Sequence, residues 1–390
     1  MANSFVLVHI ITKLELGGAQ LATLHQVQHT QFGVQPRHLI FGPGGMLDAA
    51  AHSMPNVVCW PIAALSGPLQ PGRDAHAVAA IIKALRAIQK AQPNVRLVVH
   101  THSSKAGILG RWAARAVGAA CIVHSIHGFG HQRHMSRALF AALWTAERLT
   151  ACVTTGFTAD SQANLQRARE ERLLGTAPRC VVRCGIDVSA FAPGAAPAAL
   201  RASLGIDPAD AVVLTVACLK PQKDPLSWVR VAERVVQQRP QTSFILAGDG
   251  VMRPAVTAAI RAANLGQKCR LLGWRSDIAQ LLRLCDVVLH TSLWEGLPQV
   301  FAQAMACARP VVASCVDGAP EAIEAGVTGL LRQAGDAAGL AEDVAFLLAN
   351  PGYAQAMGQA SQSRAERFSQ ERMLLDLQQF YVDLTQDGAP

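Results

Sequence analysis

Short apolar runs alternate with longer amphipathic stretches along the whole chain, and this alternation limits the fold more than any other feature. The runs are FVLVHII, RHLIF, NVVCWPI, LVVHTHS, CIVHSIHG, CVTTG and CVVRCGID, then AVVLTVAC, TSFILAG, KCRLLG, DVVLHTS and RPVVAS. Helical patterns such as those of residues 74–89 and 224–238 lie between them. Strands that alternate with helices form parallel sheets whose two faces are covered by helices. We therefore predict an α/β protein.

A stretch rich in Ala, Pro and Gly, FAPGAAPAALRASLGIDPAD, divides this pattern near its middle. A chain of 390 residues is long enough for two domains. We predict a doubly wound, Rossmann-like domain over residues 1–193, a second over 194–370, and a C-terminal helix over 371–390 that packs back on the first. Two such domains facing each other form a cleft at the carboxyl ends of their strands, where ligands bind.

The composition is that of a globular protein, with 51% hydrophobic and 16% charged residues. The longest apolar candidate, ALFAALWTAERLTACV, is interrupted by Glu147 and Arg148 and is too short to span a bilayer. The N-terminus lacks the pattern of a signal peptide. The 10 cysteines form no C-x-x-C pair, which is typical of reduced thiols. We therefore expect a cytoplasmic protein.

A formal net charge of +8 favours an anionic partner, such as nucleotide phosphates or an anionic lipid surface. No nucleic-acid-binding module is recognisable, so nucleic acid is not an expected partner. One region combines cationic and aromatic side chains that could rest on the inner face of a membrane or form a solvated helix face. These are Lys105, Arg111, Arg115, Arg133, His134 and Arg137, with Trp112, Phe129, Phe140 and Trp144.

Histidines gather near the ends of two predicted strands, in HTHS and HSIHGFGHQRH. His127, which precedes Gly128, is the best placed to contact a polar ligand, because imidazole can donate or accept a proton near pH 7. His100 is as readily a structural residue. No acidic or cysteine set completes a zinc ligand shell next to them in the sequence, so we predict no metal site.

Glycines and lysines that suit phosphate groups occupy strand-to-helix turns. Gly17 and Gly18 stand at the first such turn, although the pattern is not G-x-G-x-x-G. Lys220 and Lys223 precede a helix that Asp224 could cap. Two later turns could also approach a nucleotide, and they contain Gly248, Gly273 and Trp274.

The stretch SLWEGLPQVFAQAM follows a predicted strand and carries one acid, Glu295, with Gln303 eight residues later. Other segments accompany it in order: GGAQ, HTHSSKAGILGR, HGFG, CGIDVSAF, KPQKDP, LAGDG, LLGWRSDI and DGAPEAIEAGVTGLL. Taken together, these segments resemble the family 4 retaining glycosyltransferases, which have the GT-B fold. The resemblance covers nearly the whole chain.

The resemblance implies a nucleotide-sugar donor bound mainly by the second domain, an acceptor mainly at the first, and no metal or other cofactor. Gly18 would contact the diphosphate, His127 the donor sugar, and Lys223 would neutralise the diphosphate. Glu295 would open the donor motif. The backbone of Gly296, Leu297 and Pro298 would lie near the sugar and phosphates, with Gln303 at the position of an acid that holds the ribose. His102, Lys105 and Arg133 are candidates for the acceptor side.

Two residues depart from the family pattern. Cys218 stands where an arginine often lies beside the phosphates, and Lys220 could supply the missing cation. Gln303 replaces a carboxylate but keeps one acceptor oxygen, so the expected loss in ribose binding is about 1 kcal/mol.

The leading hypothesis is a retaining hexosyl- or N-acetylhexosaminyl-type transferase. It would use a UDP-sugar and a lipid-linked or cell-surface saccharide, as in exopolysaccharide or lipopolysaccharide synthesis. Two alternatives stay open at this point: a non-catalytic GT-B subunit of a polysaccharide assembly complex, and a sugar-nucleotide epimerase. An epimerase would convert the donor without an acceptor, and a non-catalytic subunit would bind it without turnover.

Overall fold

A computed structural model describes residues 4–65, 67, 69–132 and 135–386 of the chain. The predicted acceptor-side residue Arg133 lies outside these ranges, as does His134. The chain divides into a first unit, Met1–Gly185 with Gln370–Pro390, and a second unit, Ile186–Ser369. The division precedes the Ala- and Pro-rich stretch rather than following residue 193. The reason is that Ile186 already packs in the core of the second unit and pairs with Ser369.

Each unit is built on one sheet in which every paired neighbour is parallel. The strands of the first sheet are β1 (Phe5–Lys13), β2 (Val34–Gly42), β3 (Val57–Pro61), β4 (Arg96–His102), β5 (Cys121–Ile126), β6 (Gly156–Ala159) and β7 (Arg179–Val181). Those of the second are β8 (Ala211–Val216), β9 (Thr242–Ala247), β10 (Cys269–Gly273), β11 (Val287–His290), β12 (Val311–Ser314) and β13 (Gly329–Arg332). The spatial orders are β3-β2-β1-β4-β5-β6-β7 and β10-β9-β8-β11-β12-β13, so both sheets are doubly wound, as predicted.

Helices connect the strands. Those before the division are α1 (Gly18–His29), α2 (Asp48–His52), α3 (Pro71–Ala91), α4 (Ser104–Ala116), α5 (Arg137–Thr150) and α6 (Gln162–Glu170). Those after it are α7 (Ala198–Ser203), α8 (Pro225–Gln238), α9 (Arg253–Ala262), α10 (Ile278–Leu284), α11 (Gln299–Ala306), α12 (Ala319–Ala322), α13 (Ala337–Ala349), α14 (Pro351–Gln362) and α15 (Gln370–Gln386). Short 3-10 helices cover Ala151–Val153, Pro221–Lys223 and Ala365–Phe368.

The predicted strands differ from those of the structure in two places. The run CVTTG is not a strand, because Cys152 lies in a 3-10 helix and β6 begins only at Gly156. Thr154 bonds the carbonyl of Thr150 through its hydroxyl, a side-chain contact that competes with strand formation. The four-residue edge strand β13 was missed, since it is too short to show a period.

The C-terminal helix α15 belongs to the first unit, as predicted. Met373, Leu377 and Phe380 are buried in a core shared with Leu7 of β1 and Val98 of β4. Gly156 of β6 leaves room for this helix, since a Cβ there would lie 2.6 Å from Leu384 Cδ1. The chain end therefore covers one face of the first sheet.

Two of the predicted surface cations are not on the surface. Arg111 is fully buried, and its guanidinium donates to Glu147 Oε2 at 2.5 Å and to Thr154 Oγ1 at 3.1 Å. Lys105 lies 2.6 Å from Asp74 Oδ1 and is almost buried. These residues tie helices of the first unit together instead of forming an exposed basic patch.

All 10 cysteines are free thiols, as expected from their spacing. Of the helices in the described ranges, none combines the length and apolar character that crossing a bilayer requires.

Replacement of Leu377 by alanine should lower the free energy of unfolding by about 2–5 kcal/mol, because it empties a fully packed site under α15. The matched control is Leu375→Ala on the same helix, since Leu375 is 62% exposed and Leu377 is 0% exposed. Urea unfolding measures both, and the control should stay within about 0.5 kcal/mol of the parent. Equal small effects would mean that α15 is not packed on the sheet.

Candidate functional site

The second sheet reverses its strand order between β8 and β11, and doubly wound sheets bind ligands at the carboxyl side of such a point. The loop after β8 carries Lys220 and Lys223, and the loop after β11 carries Glu295. Glu295 therefore precedes α11 rather than lying on it, whereas Gln303 is on the helix. The two loops meet, because the Lys223 ammonium forms an ion pair with the Glu295 carboxylate.

Glu295 lies where these two loops meet. It is buried, and its Oε1 accepts from Ser292 Oγ at 2.6 Å and from His290 Nε2 at 3.0 Å. Its backbone N–H donates to Asp317 Oδ2 at 2.6 Å. The Lys223 ammonium, the Ser292 hydroxyl and the His290 imidazole thus hold the carboxylate, and Asp317 holds the backbone of the same residue.

The charge state of Glu295 follows from these contacts. Burial by itself raises the pKa of this carboxyl, but the Lys223 ammonium and the hydrogen bond from His290 outweigh burial and lower the pKa to about 2. Burial also lowers the pKa of His290, so this imidazole is neutral and carries its proton on Nε2, facing the carboxylate. Glu295 is therefore a charged acceptor and a weak base at neutral pH.

The lysines beside it differ in their surroundings. Lys223 has little exposed surface, and its ammonium is paired with the Glu295 carboxylate. Lys220 is exposed, and within the described residues its ammonium has no carboxylate at ion-pair distance. Lys220 is thus the more available cation at this loop. Asp224 caps α8 as predicted, accepting from the backbone N–H of Ser227 at 3.2 Å.

The glycines predicted in the second unit have a role in the packing and conformation of the backbone. A Cβ on Gly248 would lie 2.0 Å from the Ala217 carbonyl oxygen, so the loops after β8 and β9 could not pack as they do with a larger residue. Gly248 N donates to Gly273 O at 2.8 Å, and Gly273 has a φ of +70°. Trp274 follows with its indole partly exposed.

The start of α11 completes the loop after β11. Gly296, Leu297 and Pro298 are buried, and Pro298 is the N-cap residue of α11, which no Pro298 side-chain hydrogen bond caps. Gln303 is half-buried on the same helix. Its amide has no hydrogen-bond partner within the described part of the chain.

The first sheet reverses its order between β1 and β4. Gly17 is the N-cap of α1, its backbone is extended, and no side chain caps the helix that begins at Gly18. The structure therefore leaves the first turn of α1 open to an acceptor, in agreement with a role for these glycines in anion binding.

A row of imidazoles crosses this point of the first sheet. His127 Nδ1 lies 3.0 Å from Asp160 Oδ1, and His127 Nε2 lies 3.0 Å from His102 Nδ1. His102 Nε2 lies 2.9 Å from His9 Nδ1. Cys184 donates its thiol proton to Asp160 Oδ1 at 3.3 Å, which burial favours by raising the thiol pKa well above its usual value.

The hydrogen bonds determine which nitrogens carry protons. Burial lowers the pKa of His9 to about 3 and that of His102 well below its usual value, so both rings are neutral. The Asp160 carboxylate accepts, which places a proton on His127 Nδ1. When His102 donates from Nδ1 to His127 Nε2, its Nε2 accepts from His9 Nδ1. The row ends at the buried His9 Nε2, which has no partner among the described residues.

These positions change the predicted acceptor set. His102 has no exposed surface, so it cannot touch an acceptor and acts through His127 instead. Lys105 is occupied by Asp74. His100, bonded to Tyr381 at 2.5 Å and Ser125 at 2.7 Å, is buried and structural.

Two groups have the atom types and spacing that a metal ion accepts: His9, His100 and His102, and His127, Asp160 and Cys184. The second group combines N, O and S ligands that suit zinc. In the structure the same atoms hydrogen-bond to one another. The prediction of no metal site stays a prediction.

Sequence reasoning missed the partners that hold the predicted residues. His290 and Ser292 lie within five residues of Glu295, and their alternation along the strand end was a usable signal. Asp160 and Cys184 are far from His127 along the chain, and parallel pairing of β5 with β6 and of β6 with β7 brings their strand ends together. Nothing in their spacing indicates that contact.

Comparison with known families divides the chain as the fold does. The model described as "Glycosyltransferase Family 4" matches residues 28–190, and the model described as "Glycosyl transferases group 1" matches residues 198–364. The second of these matches lies within the second unit, and the first runs five residues past the end of the first unit at Gly185.

Curated relatives are similar over part of their length. The UDP-Gal:alpha-D-GlcNAc-diphosphoundecaprenol alpha-1,3-galactosyltransferase of Escherichia coli is 32% identical over 57% of this chain and 58% of its own. The D-inositol 3-phosphate glycosyltransferase of Mycobacterium sp. (strain JLS) is 30% identical over 68% of this chain and 62% of its own. The chain thus spans about three fifths of the length of these relatives.

Solved structures share the two-unit architecture. Anabaena HepE in complex with UDP has a TM-score of 0.78 at 21% identity, over 97% of this chain and 100% of its own. Sucrose-phosphate synthase from Thermosynechococcus elongatus has a TM-score of 0.81 at 20% identity, over 98% of this chain and 100% of its own. Because two family models together match most of both units, the chain belongs to glycosyltransferase family 4, with the GT-B fold.

Proposed function

We propose that this protein transfers a sugar from a UDP-sugar to a saccharide acceptor carried on a lipid, with retention at the anomeric carbon. The observation that carries the proposal is the buried Glu295 carboxylate, joined to Lys223 at the strand-order reversal of the second sheet in a family 4 chain. The E. coli relative, whose name specifies UDP-galactose and a lipid diphosphate acceptor, supports the choice of substrates.

The donor would be held by the second unit. Lys220 and Lys223 supply cations for the diphosphate, with Lys223 also held by Glu295. Gln303 offers an unoccupied amide oxygen to the ribose hydroxyls. The backbone N–H groups of Gly296 and Leu297, just before α11, would add donors for negative charge.

The charges of these residues determine how the transfer step would proceed. The bond from the anomeric carbon to the phosphate oxygen breaks while the acceptor oxygen forms a new bond on the same face. The leaving phosphate oxygen takes the acceptor proton, because Glu295, with a pKa of about 2, is too weak a base to do so. The cations stabilise the charge that develops on the diphosphate, so we propose that transfer needs no metal.

His127 is proposed as the sugar-contacting residue of the first unit. Its Nδ1 is held by Asp160 and its Nε2 by His102, so the ring is oriented before any ligand binds. A sugar hydroxyl that approached Nε2 would compete with His102 for the same lone pair. His102 is then a positioning residue and not an acceptor-side contact.

A lipid-borne acceptor would bring the protein to the inner face of a membrane from the cytoplasm. Neither a non-catalytic subunit nor an epimerase is favoured, because the curated relatives cited above are glycosyltransferases by name.

Purified protein given UDP- and GDP-sugars with a lipid diphosphate-linked GlcNAc acceptor should release UDP and form a product one sugar heavier. Mass spectrometry of the acceptor and a nucleotide-release assay measure this. Chelator should leave the rate unchanged. Lys220→Ala, which leaves the Glu295 ion pair intact, should weaken UDP binding about tenfold, whereas the exposed Lys83→Ala should not.

Three outcomes would contradict the proposal in different ways. UDP binding without turnover would indicate a non-catalytic subunit. Conversion of the donor without acceptor would indicate an epimerase. Loss of turnover on chelation would direct attention to the group of His127, Asp160 and Cys184.

Changing Gln303 to Glu should tighten UDP binding about fivefold, because a carboxylate accepts two ribose hydrogen bonds where the amide accepts one. Isothermal titration measures the change, and the gain should vanish with 2′,3′-dideoxyuridine diphosphate. Gln355→Glu on α14 adds the same charge at an exposed position and serves as the control. A gain that persists with the dideoxy nucleotide would place Gln303 away from the ribose.

The imidazole row should show the Nδ1–H tautomer at His9, His102 and His127 at neutral pH. Long-range ¹⁵N–¹H correlation spectra of histidine-labelled protein distinguish the two tautomers directly. Asp160→Asn should change the spectrum of His102 although the two residues do not touch. Finding Nε2–H on His102 in the parent would instead show that His127 carries both protons.

A further inference from the structure

A group of four arginines in the first unit lies away from the residues described above. Arg148, Arg169, Arg172 and Arg179 line a cavity of about 430 Å³, together with apolar and small residues. Arg179 is the first residue of β7, and the 3-10 helix before β6 forms another wall. The cavity is thus at the amino ends of these strands, whereas His127 and Asp160 follow carboxyl ends.

The four arginines carry charge that the surrounding acids do not neutralise. No carboxylate lines the cavity, and within the described residues none forms an ion pair with these four side chains. The nearby acids have other partners: Glu147 is bound by Arg111, and Glu171 by Arg167 and His131.

Arg172 occupies a backbone position that favours glycine. It follows α6 with a φ of +57°, its N–H bonds the carbonyl of Arg169, and Leu173 N bonds the carbonyl of Ala168 at 2.8 Å. This is the Schellman end of a helix, where the left-handed residue is usually Gly. An arginine in this strained position, lining the same cavity as three others, is better explained by its side chain than by the turn.

Arg148 is oriented before any ligand arrives. Its guanidinium stacks 5.1 Å from the centre of the Trp144 ring, and the Trp144 indole donates to the carbonyl of Glu171 at 3.1 Å. A cation in the last turn of a helix balances the partial negative charge at the helix C-terminus. This explains Arg148 and Arg169, which lie in the last turns of α5 and α6. It explains neither Arg172 nor Arg179, which lie outside helices.

We propose that this cavity binds a phosphate or diphosphate group, carried either by a soluble molecule or by a lipid headgroup. Guanidinium groups match phosphate oxygens in pairs, and the cavity has the volume of a small-ligand site. The site is separate from the proposed donor site in the second unit and does not depend on it.

The test uses the full chain and two probes, inorganic pyrophosphate in isothermal titration and phosphatidylcholine vesicles with or without phosphatidic acid in flotation. The variant is Arg172→Gly with Arg179→Gln, because glycine suits the backbone at residue 172. The control is Arg86→Gln with Arg115→Gln, two exposed arginines of the same unit with the same loss of charge. Lys223→Ala identifies any pyrophosphate bound by the second unit.

The expected result is that the variant loses at least tenfold in affinity for one probe while the control stays within twofold of the parent. Loss with pyrophosphate alone assigns a soluble ligand, and loss of flotation with phosphatidic acid assigns a lipid headgroup. The proposal is overturned if variant and control behave alike with both probes, or if Lys223→Ala removes all pyrophosphate binding and the variant floats with phosphatidic acid vesicles as the control does.

Discussion

The Glu295 carboxylate is kept charged inside the second unit, and the structure of the loops around it depends on how that charge is balanced. Burying an ion is costly unless partners replace its water. Here the Lys223 ammonium and the donors from His290 and Ser292 do so, and Lys223 and His290 outweigh burial and lower the carboxyl pKa to about 2. Because Lys223 comes from the loop after β8 and Glu295 from the loop after β11, one ion pair fixes both loops at the strand-order reversal. Their positions are set before any donor arrives.

The first unit solves a related problem with neutral groups. The imidazoles of His9 and His102 are buried too deeply to be charged, because burial lowers the pKa of His9 to about 3 and that of His102 well below its usual value. Hydrogen bonds join them to His127 in a row of rings, and Asp160 orients the His127 ring at one end of this row. A preformed polar row of this kind orients His127 without adding charge to the core. Glu295 in the second unit is thus held by a charged partner, whereas Asp160 in the first unit is held by an imidazole of the row.

Much of the architecture could be predicted because it depends on periodicity. Runs such as FVLVHII and AVVLTVAC are buried on both faces of parallel sheets, and the pattern of α15 already marked it as an amphipathic helix. Roles that depend on a distant partner could not. Arg111 looked like a surface cation and is buried against Glu147, and His102 looked accessible and lies between two other rings. Gly248 was predicted from its turn alone, and the structure adds that the carbonyl of Ala217 leaves no room for a larger residue there. In each case the missing information is which segments of the chain lie side by side.

The charge on Glu295 is tested most directly by the free energy of unfolding as a function of pH, compared between the parent and Glu295→Gln. A carboxyl whose pKa falls from 4.5 in the unfolded chain to about 2 in the fold stabilises the protein above pH 4.5. That stability is lost as the pH falls toward 2. Between pH 6 and pH 3 the parent should lose about 2 kcal/mol more than Glu295→Gln, each pKa unit being worth about 1.4 kcal/mol. Parallel curves for the two proteins would contradict a buried, charged Glu295 and with it the account of the site.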